Sequence, residues 1–175
     1  MISLDAAQLK RLQTLLAAYP KQAPTACARA INDGLAAART TTWRALKDNF
    51  TIKGQRNIYA QIRLERASPG KIEGRFLASG RPISLAHFRS LPNIRHSTPK
   101  SKPPRWQLET NGPWHSAPGT FKHNGQIFGR RGKRLISYGG YSVPKMLENV
   151  QALETVEEAA MDRIAARIDH HLHVE

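Results

Sequence analysis

The spacing of apolar residues changes twice along this chain, and the change limits the folds open to it. Residues 1–49 repeat apolar side chains every three or four positions, as helices with one buried face do. Residues 50–143 alternate apolar and polar side chains in short runs separated by turn signals, which is typical of antiparallel strands. Residues 144–175 return to helical spacing. We therefore expect an α+β fold: two N-terminal helices, a central antiparallel β-sheet with long loops, and one long C-terminal helix.

The N-terminal region is expected to form two helices. The first covers residues 9–19 and is interrupted by Pro20, which cannot continue a helix. The second runs from about residue 24 to residue 49 and is rich in alanine. Gly34 weakens it by about 1 kcal/mol relative to alanine, so this glycine indicates either close packing or a bend.

Short strands are expected in the middle of the chain, beginning with residues 57–64 and 72–78. Asn124-Gly125 is a strong signal for a tight hairpin. Residues 92–105 contain four prolines and five basic side chains, which predicts a long loop. Pro144 suits the first position of the C-terminal helix. Further strands are expected at residues 83–85, 106–109 and 135–138.

The composition narrows the class of protein. The 175 residues are enough for one domain with its own core. Cys27 is the one cysteine, so no intramolecular disulfide can form, and we expect it to be a buried packing residue rather than a nucleophile. No apolar run approaches the roughly 20 residues of a membrane span, and no signal peptide is indicated. We expect a protein made in a cytoplasm, with no membrane partner.

The charge is distributed unevenly. The formal net charge is +14. Residues 50–143 hold seventeen Lys and Arg against three Asp and Glu, whereas residues 144–175 hold three against seven. Such asymmetry indicates an electrostatic partner, which is either DNA or an acidic face on a neighbouring subunit.

Two basic groups are the candidate contact residues. Lysines and arginines on loops can reach phosphates without reading sequence. Nearby aromatic residues (Trp106, Trp114 and Phe121) could stack on bases, although aromatic residues at strand spacing more often belong to the core. The candidates for contact with DNA or with another subunit are Lys100, Lys102, Arg105, Arg130, Arg131, Lys133 and Arg134.

Catalytic and metal chemistry find little support. His170, His171 and His173 could bind a divalent metal, but no cysteine or HExxH pattern accompanies them, so a solvated helix end is the favoured interpretation. The middle region has no close pair of carboxylates, no nucleophile elbow and no phosphate-binding loop. We therefore predict no enzymatic activity, no catalytic residue, no metal and no cofactor.

Three segments together resemble the phage minor tail protein Z family, also called tail completion proteins. They are Ala30–Leu46, which ends in AAARTTTWRAL; Leu77–Phe88, LASGRPISLAHF; and Gly119–Leu147, which ends in GGYSVPKML. Their order and spacing cover roughly residues 25–150. Each segment is a packing or turn pattern, and the family brings no catalytic residues to transfer.

The resemblance implies a structural virion protein with a single tail-completion domain over residues 1–175. Its implied role is at the head-proximal end of the tail, in the neck, where it completes the tail and joins it to the head connector after assembly in the bacterial host cytoplasm. The implied partners are further copies of itself in a hexameric ring, the tail terminator or tail tube, head connector proteins, and phage DNA in the lumen. A non-specific DNA-binding accessory protein is the alternative that the basic middle region leaves open.

Overall fold

The computed structural model describes Thr14 and residues 21–92, 96–98 and 102–173. The first predicted helix, residues 9–19, lies outside the described residues except for Thr14. In chain order the elements are α1 (Ala23–Asn49), α2 (Gln55–Tyr59), β1 (Ile62–Glu65), β2 (Arg75–Ala78), a 3-10 turn (Leu85–His87), β3 (Arg89–Leu91), β4 (Arg105–Gln107), β5 (Trp114–Ser116), β6 (Phe121–His123), β7 (Gln126–Arg131), β8 (Arg134–Ser137), α3 (Val143–Asn149) and α4 (Leu153–His173).

Helices and antiparallel strands are both present, which confirms the α+β class. The strands form three small sheets, ordered β1-β2, β3-β4-β5 and β6-β7-β8, instead of the one central sheet that we expected. Contacts divide the chain into two compact units. The first contains the described residues up to Thr42, with Arg63–Leu77 and those from Ala152 onward; the second contains Trp43–Ile62 and Ala78–Gln151. The expectation of a single domain stays a prediction.

The first unit is built on a close contact between α1 and α4. Small side chains on α1 pack against Ile164 and Ile168 near the end of α4. Gly34 lies at the point of closest approach, because a Cβ atom there would be 2.5 Å from Ile164 Cγ1 and 2.9 Å from the carbonyl oxygen of Ala160. Close packing, one of the two interpretations given to this glycine, is confirmed. The small residues of the contact are Ala23, Ala26, Ala30, Ala38 and Ala160.

Asn32 joins α1 to the segment that follows β1. Its Nδ2 donates to the Ala67 carbonyl at 3.0 Å, and the Ala67 amide donates to its Oδ1 at 2.9 Å. A side chain that satisfies both backbone polar groups of one residue fixes that segment against the helix. Cys27 is buried on α1, as predicted, and this burial raises the pKa of its thiol.

The second unit has its own core beneath the two three-stranded sheets. The side-chain amide of Gln61 connects distant segments, donating to the Arg81 carbonyl at 2.9 Å and accepting from the Val143 amide at 3.1 Å. This amide therefore fixes the start of α3 beside the end of α2. The fully buried apolar side chains are Leu46, Phe50, Ile58, Leu85, Phe88, Pro104, Ile127, Val143, Met146 and Leu147.

The predicted strand over residues 57–64 was wrong in its first half. Gln55–Tyr59 forms a short helix after Gly54, and the strand begins at Ile62. Ile58 and Ile62 are four residues apart, a spacing that suits one face of a helix as well as a strand. Ile58 is buried from the helix, so the apolar pattern alone did not distinguish the two structures.

The single C-terminal helix was also wrong, because the chain breaks between α3 and α4. Gln151 adopts a left-handed φ of 48°, and its amide donates to the Glu148 carbonyl at 3.2 Å, which closes α3. The apolar stripe continues across this break in the sequence, so it could not reveal the interruption. The break moves Leu153 out to 51% exposure and places Ala152 in the core instead.

The hairpin predicted at Asn124-Gly125 is confirmed. Both residues have positive φ, 50° and 79°, and they connect β6 to β7 with His123 opposite Gln126. This is the backbone geometry that makes Asn-Gly a favoured hairpin turn. The strand predicted at residues 135–138 is also confirmed as β8, which pairs with β7.

Lys122 on β6 is buried to 2% exposure without a carboxylate partner among the described residues. Its Nζ donates to Ser90 Oγ at 2.9 Å and to the Pro92 carbonyl at 2.6 Å. Burial lowers the pKa of this amine, and the nearby charge of Lys53 lowers it further. The ammonium form therefore lowers the stability of the fold.

We expect Gly34→Ala to destabilise the protein by about 1–3 kcal/mol, because the new methyl group overpacks the contact with α4. Urea unfolding measures the change. The matched control is Ala36→Gly at an exposed site of the same helix, where propensity acts alone and glycine costs about 1 kcal/mol. One substitution adds a methyl group and the other removes one, and both should destabilise the protein. A Gly34→Ala protein more stable than the wild type would contradict the close contact.

We expect Lys122→Met to raise the melting temperature at neutral pH, because it removes a buried charge that has no carboxylate partner among the described residues. The gain should shrink as pH rises. The unfolded chain binds the lysine proton more tightly than the folded one, so wild-type stability increases between the lowered folded pKa and the ordinary value of 10.5. Thermal unfolding of both proteins from pH 7 to 10.5 measures the difference in melting temperature. Other groups that titrate at alkaline pH are present in both proteins, so their effects cancel in this difference. A gain in melting temperature that is constant or grows with pH would contradict the lowered pKa of Lys122.

Candidate functional site

The β7–β8 hairpin brings four of the predicted basic residues together. Arg130, Arg131, Lys133 and Arg134 are all exposed at its tip, where Gly132 with a φ of 63° forms the turn with Lys133. None of these cations forms an ion pair with a described residue. Arg131 and Arg134 are directly opposed across the ladder, a like-charge pairing that destabilises a hairpin. The tip is therefore cationic without internal neutralisation.

The same hairpin exposes apolar side chains. All four residues of β8 are exposed, and β8 is the edge strand of its sheet within the described part of the chain. Leu135 lies opposite Arg130 and is 57% exposed, whereas Ile136 lies opposite Gly129 on the other face and is 40% exposed. Exposed apolar residues on an unpaired edge strand are a ready surface for another chain. We call Arg130–Ser137 the hairpin arm.

An acidic surface lies on α4. Glu154, Glu158 and Asp162 are exposed at intervals of four residues, so they share one face of the helix. Val156 and Ala160 are buried on α4 and lie two residues, or about 200°, away from them. The carboxylates therefore face away from the buried stripe, and none of them pairs with a described cation. We call Glu154, Glu157, Glu158 and Asp162, with the adjacent exposed Leu153, the acidic stripe.

The candidates of the proline-rich loop are placed differently. Arg105 belongs to β4, so it lies on a different sheet from the hairpin arm. Its guanidinium lies 5.5 Å from the centroid of the Trp114 ring, and the guanidinium of Arg89 lies 5.5 Å from the same ring. These separations are within the range of cation–π attraction. Lys102 is exposed, and Lys100 lies outside the described residues.

The three candidate stacking aromatics differ in accessibility. Trp106 is buried on the inner face of its sheet, which leaves it unable to meet a base. Phe121 is half-buried and stacks on Phe128, with ring centroids 6.2 Å apart and an interplanar angle of 30°. Trp114 is half-buried on the outer face, beside the two arginines. The sequence did not indicate Arg89, because its contact with Trp114 depends on the pairing of β3 with β4 and of β4 with β5.

The histidines near the end of α4 do not form a metal site with other described residues. His171 is partly buried, and its Nε2 lies 3.1 Å from Asp33 Oδ2, which Arg167 Nε also approaches at 3.5 Å. The expected solvated helix end therefore holds for His170, which is exposed, but was wrong for His171.

No helix in the described part of the chain combines the length and apolar composition needed to cross a membrane.

A cleft of about 280 Å³ in the second unit is lined by polar side chains. Asp48 and Glu109 supply carboxylates, and Tyr141 Oη lies 3.4 Å from Glu109 Oε1. Burial first, and then the charge of Glu109, raise the pKa of the Tyr141 hydroxyl. The described residues that line the cleft include no cysteine, serine, lysine or histidine.

The surfaces described above are the basis for assigning a role, because comparison with known proteins found no relative. No protein-family model, no curated protein and no solved structure matches this chain. The relation to the tail completion proteins therefore stays a prediction, carried by the three segments within residues 25–150. The geometry adds two exposed cationic surfaces, on separate sheets, and one exposed acidic stripe.

Proposed function

We propose that this chain is a non-enzymatic structural protein of a tailed phage virion, acting as a ring subunit at the head-proximal end of the tail. In this role it completes the tail and joins it to the head connector. Two lines support the proposal: the resemblance of three segments to tail completion proteins, and the hairpin arm with its four exposed cations. The structural support for the proposal comes from the hairpin arm, because its charges have no described carboxylate to neutralise them.

A ring of identical subunits needs two different, complementary surfaces on each copy. In a heterologous contact, one surface of each subunit binds the other surface of the next, and the rotation closes the ring. The hairpin arm and the acidic stripe have the required opposite charges: four cations on the arm and four carboxylates on the stripe. In the proposed assembly, the hairpin arm of one copy binds the acidic stripe of its neighbour.

Apolar contact accompanies the charges. Leu135 and Ile136 on the arm, and Leu153 beside the stripe, are 57%, 40% and 51% exposed. Burying apolar surface contributes roughly 25 cal/mol per Å², whereas exposed ion pairs contribute about 0–1 kcal/mol each. Because Leu135 and Ile136 project from opposite faces of β8, the proposed contact buries one of them with Leu153 for affinity, and the charges supply orientation and partner choice.

The proposed assembly is hexameric, follows the symmetry of the tail tube and lies in the virion neck after formation in the host cytoplasm. Its other contacts are with the tail terminator or tail tube and with head connector proteins. The alternative function is a non-specific DNA-binding accessory protein. The observation favouring that alternative is the same unpaired hairpin arm, because exposed arginines can also neutralise phosphates.

Charge reversal tests the proposed contact. One variant carries Glu at the four basic positions of the hairpin arm, Arg130, Arg131, Lys133 and Arg134. The other carries Lys at the four acidic positions of the stripe, Glu154, Glu157, Glu158 and Asp162. We expect wild-type protein to self-associate and each variant alone to remain monomeric, because like charges then face each other. A mixture of the two should associate again, since each variant restores the partner of the other. Analytical ultracentrifugation over a range of concentrations measures all four samples.

The matched control reverses four exposed arginines outside both surfaces, Arg44, Arg56, Arg66 and Arg81, which changes the net charge equally. This control should self-associate like the wild type. The proposed contact is rejected if the mixture stays monomeric while the wild type associates, or if the wild type is monomeric throughout. A monomeric wild type that coats duplex DNA tightly at moderate salt, and loses this binding with the reversed hairpin arm, would establish the alternative.

A further inference from the structure

One face of the β3-β4-β5 sheet carries an exposed arrangement that the proposed assembly does not use. Strand pairing places Arg89 opposite Gln107 and Gln107 opposite Trp114, while Leu91 lies opposite Arg105. Directly paired residues, and residues two apart on one strand, project from the same face of a sheet. These five residues therefore share one face, and the intervening row lies on the other, where Ser90 and Trp106 are buried and His115 is exposed.

The two arginines of this face are held in place by the tryptophan. Both guanidinium carbons lie 5.5 Å from the centroid of the Trp114 ring. A cation–π contact restricts a long side chain that would otherwise sample many rotamers, so less entropy remains to be lost when a ligand binds. The ring thus preorganises two cations that come from different strands.

The charges of this face are free for a ligand. Neither Arg89 nor Arg105 forms an ion pair with a described carboxylate, and both side chains are exposed. Leu91 adds an exposed apolar side chain at 45% exposure. Gln107 is buried on β4, where its Nε2 donates to the Thr110 and Gly112 carbonyls at 3.1 and 3.0 Å, so its amide supports the adjacent turn and does not meet a ligand. The face therefore combines two cations without a described carboxylate partner, one aromatic ring and one apolar side chain.

We propose that this face binds single-stranded nucleic acid without sequence preference. The guanidinium groups of Arg89 and Arg105 contact successive phosphates, and an unpaired base packs on the layer formed by Trp114 and the guanidinium planes. Single strands are held in this way because each base has an accessible π-face, and arginine planes stack on bases as aromatic rings do. The bases of a duplex are already stacked on each other, so a duplex offers only its phosphates to this face. The site goes beyond the proposed assembly function and does not rest on it.

Three variants separate the contributions. In Arg89→Ala/Arg105→Ala, the loss of two phosphate contacts should reduce the slope of log K against log salt by about 1.4, at roughly 0.7 per phosphate for single strands. Trp114→Ala should weaken binding on the order of 10- to 100-fold by removing base stacking. Trp114→Phe keeps an aromatic ring and should retain most of the affinity. The probe is a fluorescently labelled 20-nucleotide single strand of thymidine, titrated by anisotropy at several salt concentrations, with a 20-base-pair duplex for comparison.

The matched control is Arg56→Ala/Arg66→Ala, which removes two exposed arginines elsewhere and changes the net charge equally. It should leave the affinity for single strands and the salt slope close to wild type. The proposal is supported if the wild type prefers the single strand and the face variants lose affinity as stated. It is overturned if the wild type does not bind the single strand at low salt, or binds the duplex as tightly. It is also overturned if the double arginine variant keeps the wild-type slope. Self-association of these same variants should be unchanged, which separates this site from the hairpin arm.

Discussion

The close contact between α1 and α4 at Gly34 determines which residues of the first unit are available to partners. With no Cβ atom at this position, the helices approach until Ile164 and the Ala160 carbonyl fill the space of a side chain. That approach fixes the rotation of α4 about its axis, because Val156, Ala160 and Ile168 must face inward. Glu154, Glu158 and Asp162 of the acidic stripe are then on the opposite side. A packing constraint between small apolar residues thus sets the direction of an electrostatic surface.

Local signals in the sequence predicted several elements well. The Asn124-Gly125 hairpin depends on backbone conformations that these two residue types adopt readily, and α1 depends on a long, regular apolar stripe. The break at Gln151 could not be predicted, because the apolar spacing runs unchanged across it while one residue adopts a left-handed conformation. The short helix Gln55–Tyr59 was predicted as a strand for a related reason, because two isoleucines four residues apart fit a helix and a strand equally well.

The two candidate surfaces also differ in whether the sequence could predict them. The four cations of the hairpin arm are close in sequence, and one turn suffices to group them, so residue type and spacing could find them. The face around Trp114 unites Arg89 and Arg105 from two strands that are separated in sequence by a proline-rich segment, with a register set by hydrogen bonds between distant segments. No local pattern encodes that register. The separation of the two surfaces on different sheets also allows each to be altered without changing the other.

The buried Cys27 makes local opening around α1 accessible to kinetic measurement. As the one thiol of the chain it gives a single signal, and both its burial and its raised pKa keep it from reacting with an alkylating reagent in the closed state. Modification then requires the surroundings of Cys27 to open, so at high reagent concentration the labelling rate becomes the rate of this local opening. At low reagent concentration, where reclosing is faster than labelling, mass spectrometry of labelled protein would instead give the local free energy of opening, without added denaturant or an introduced probe.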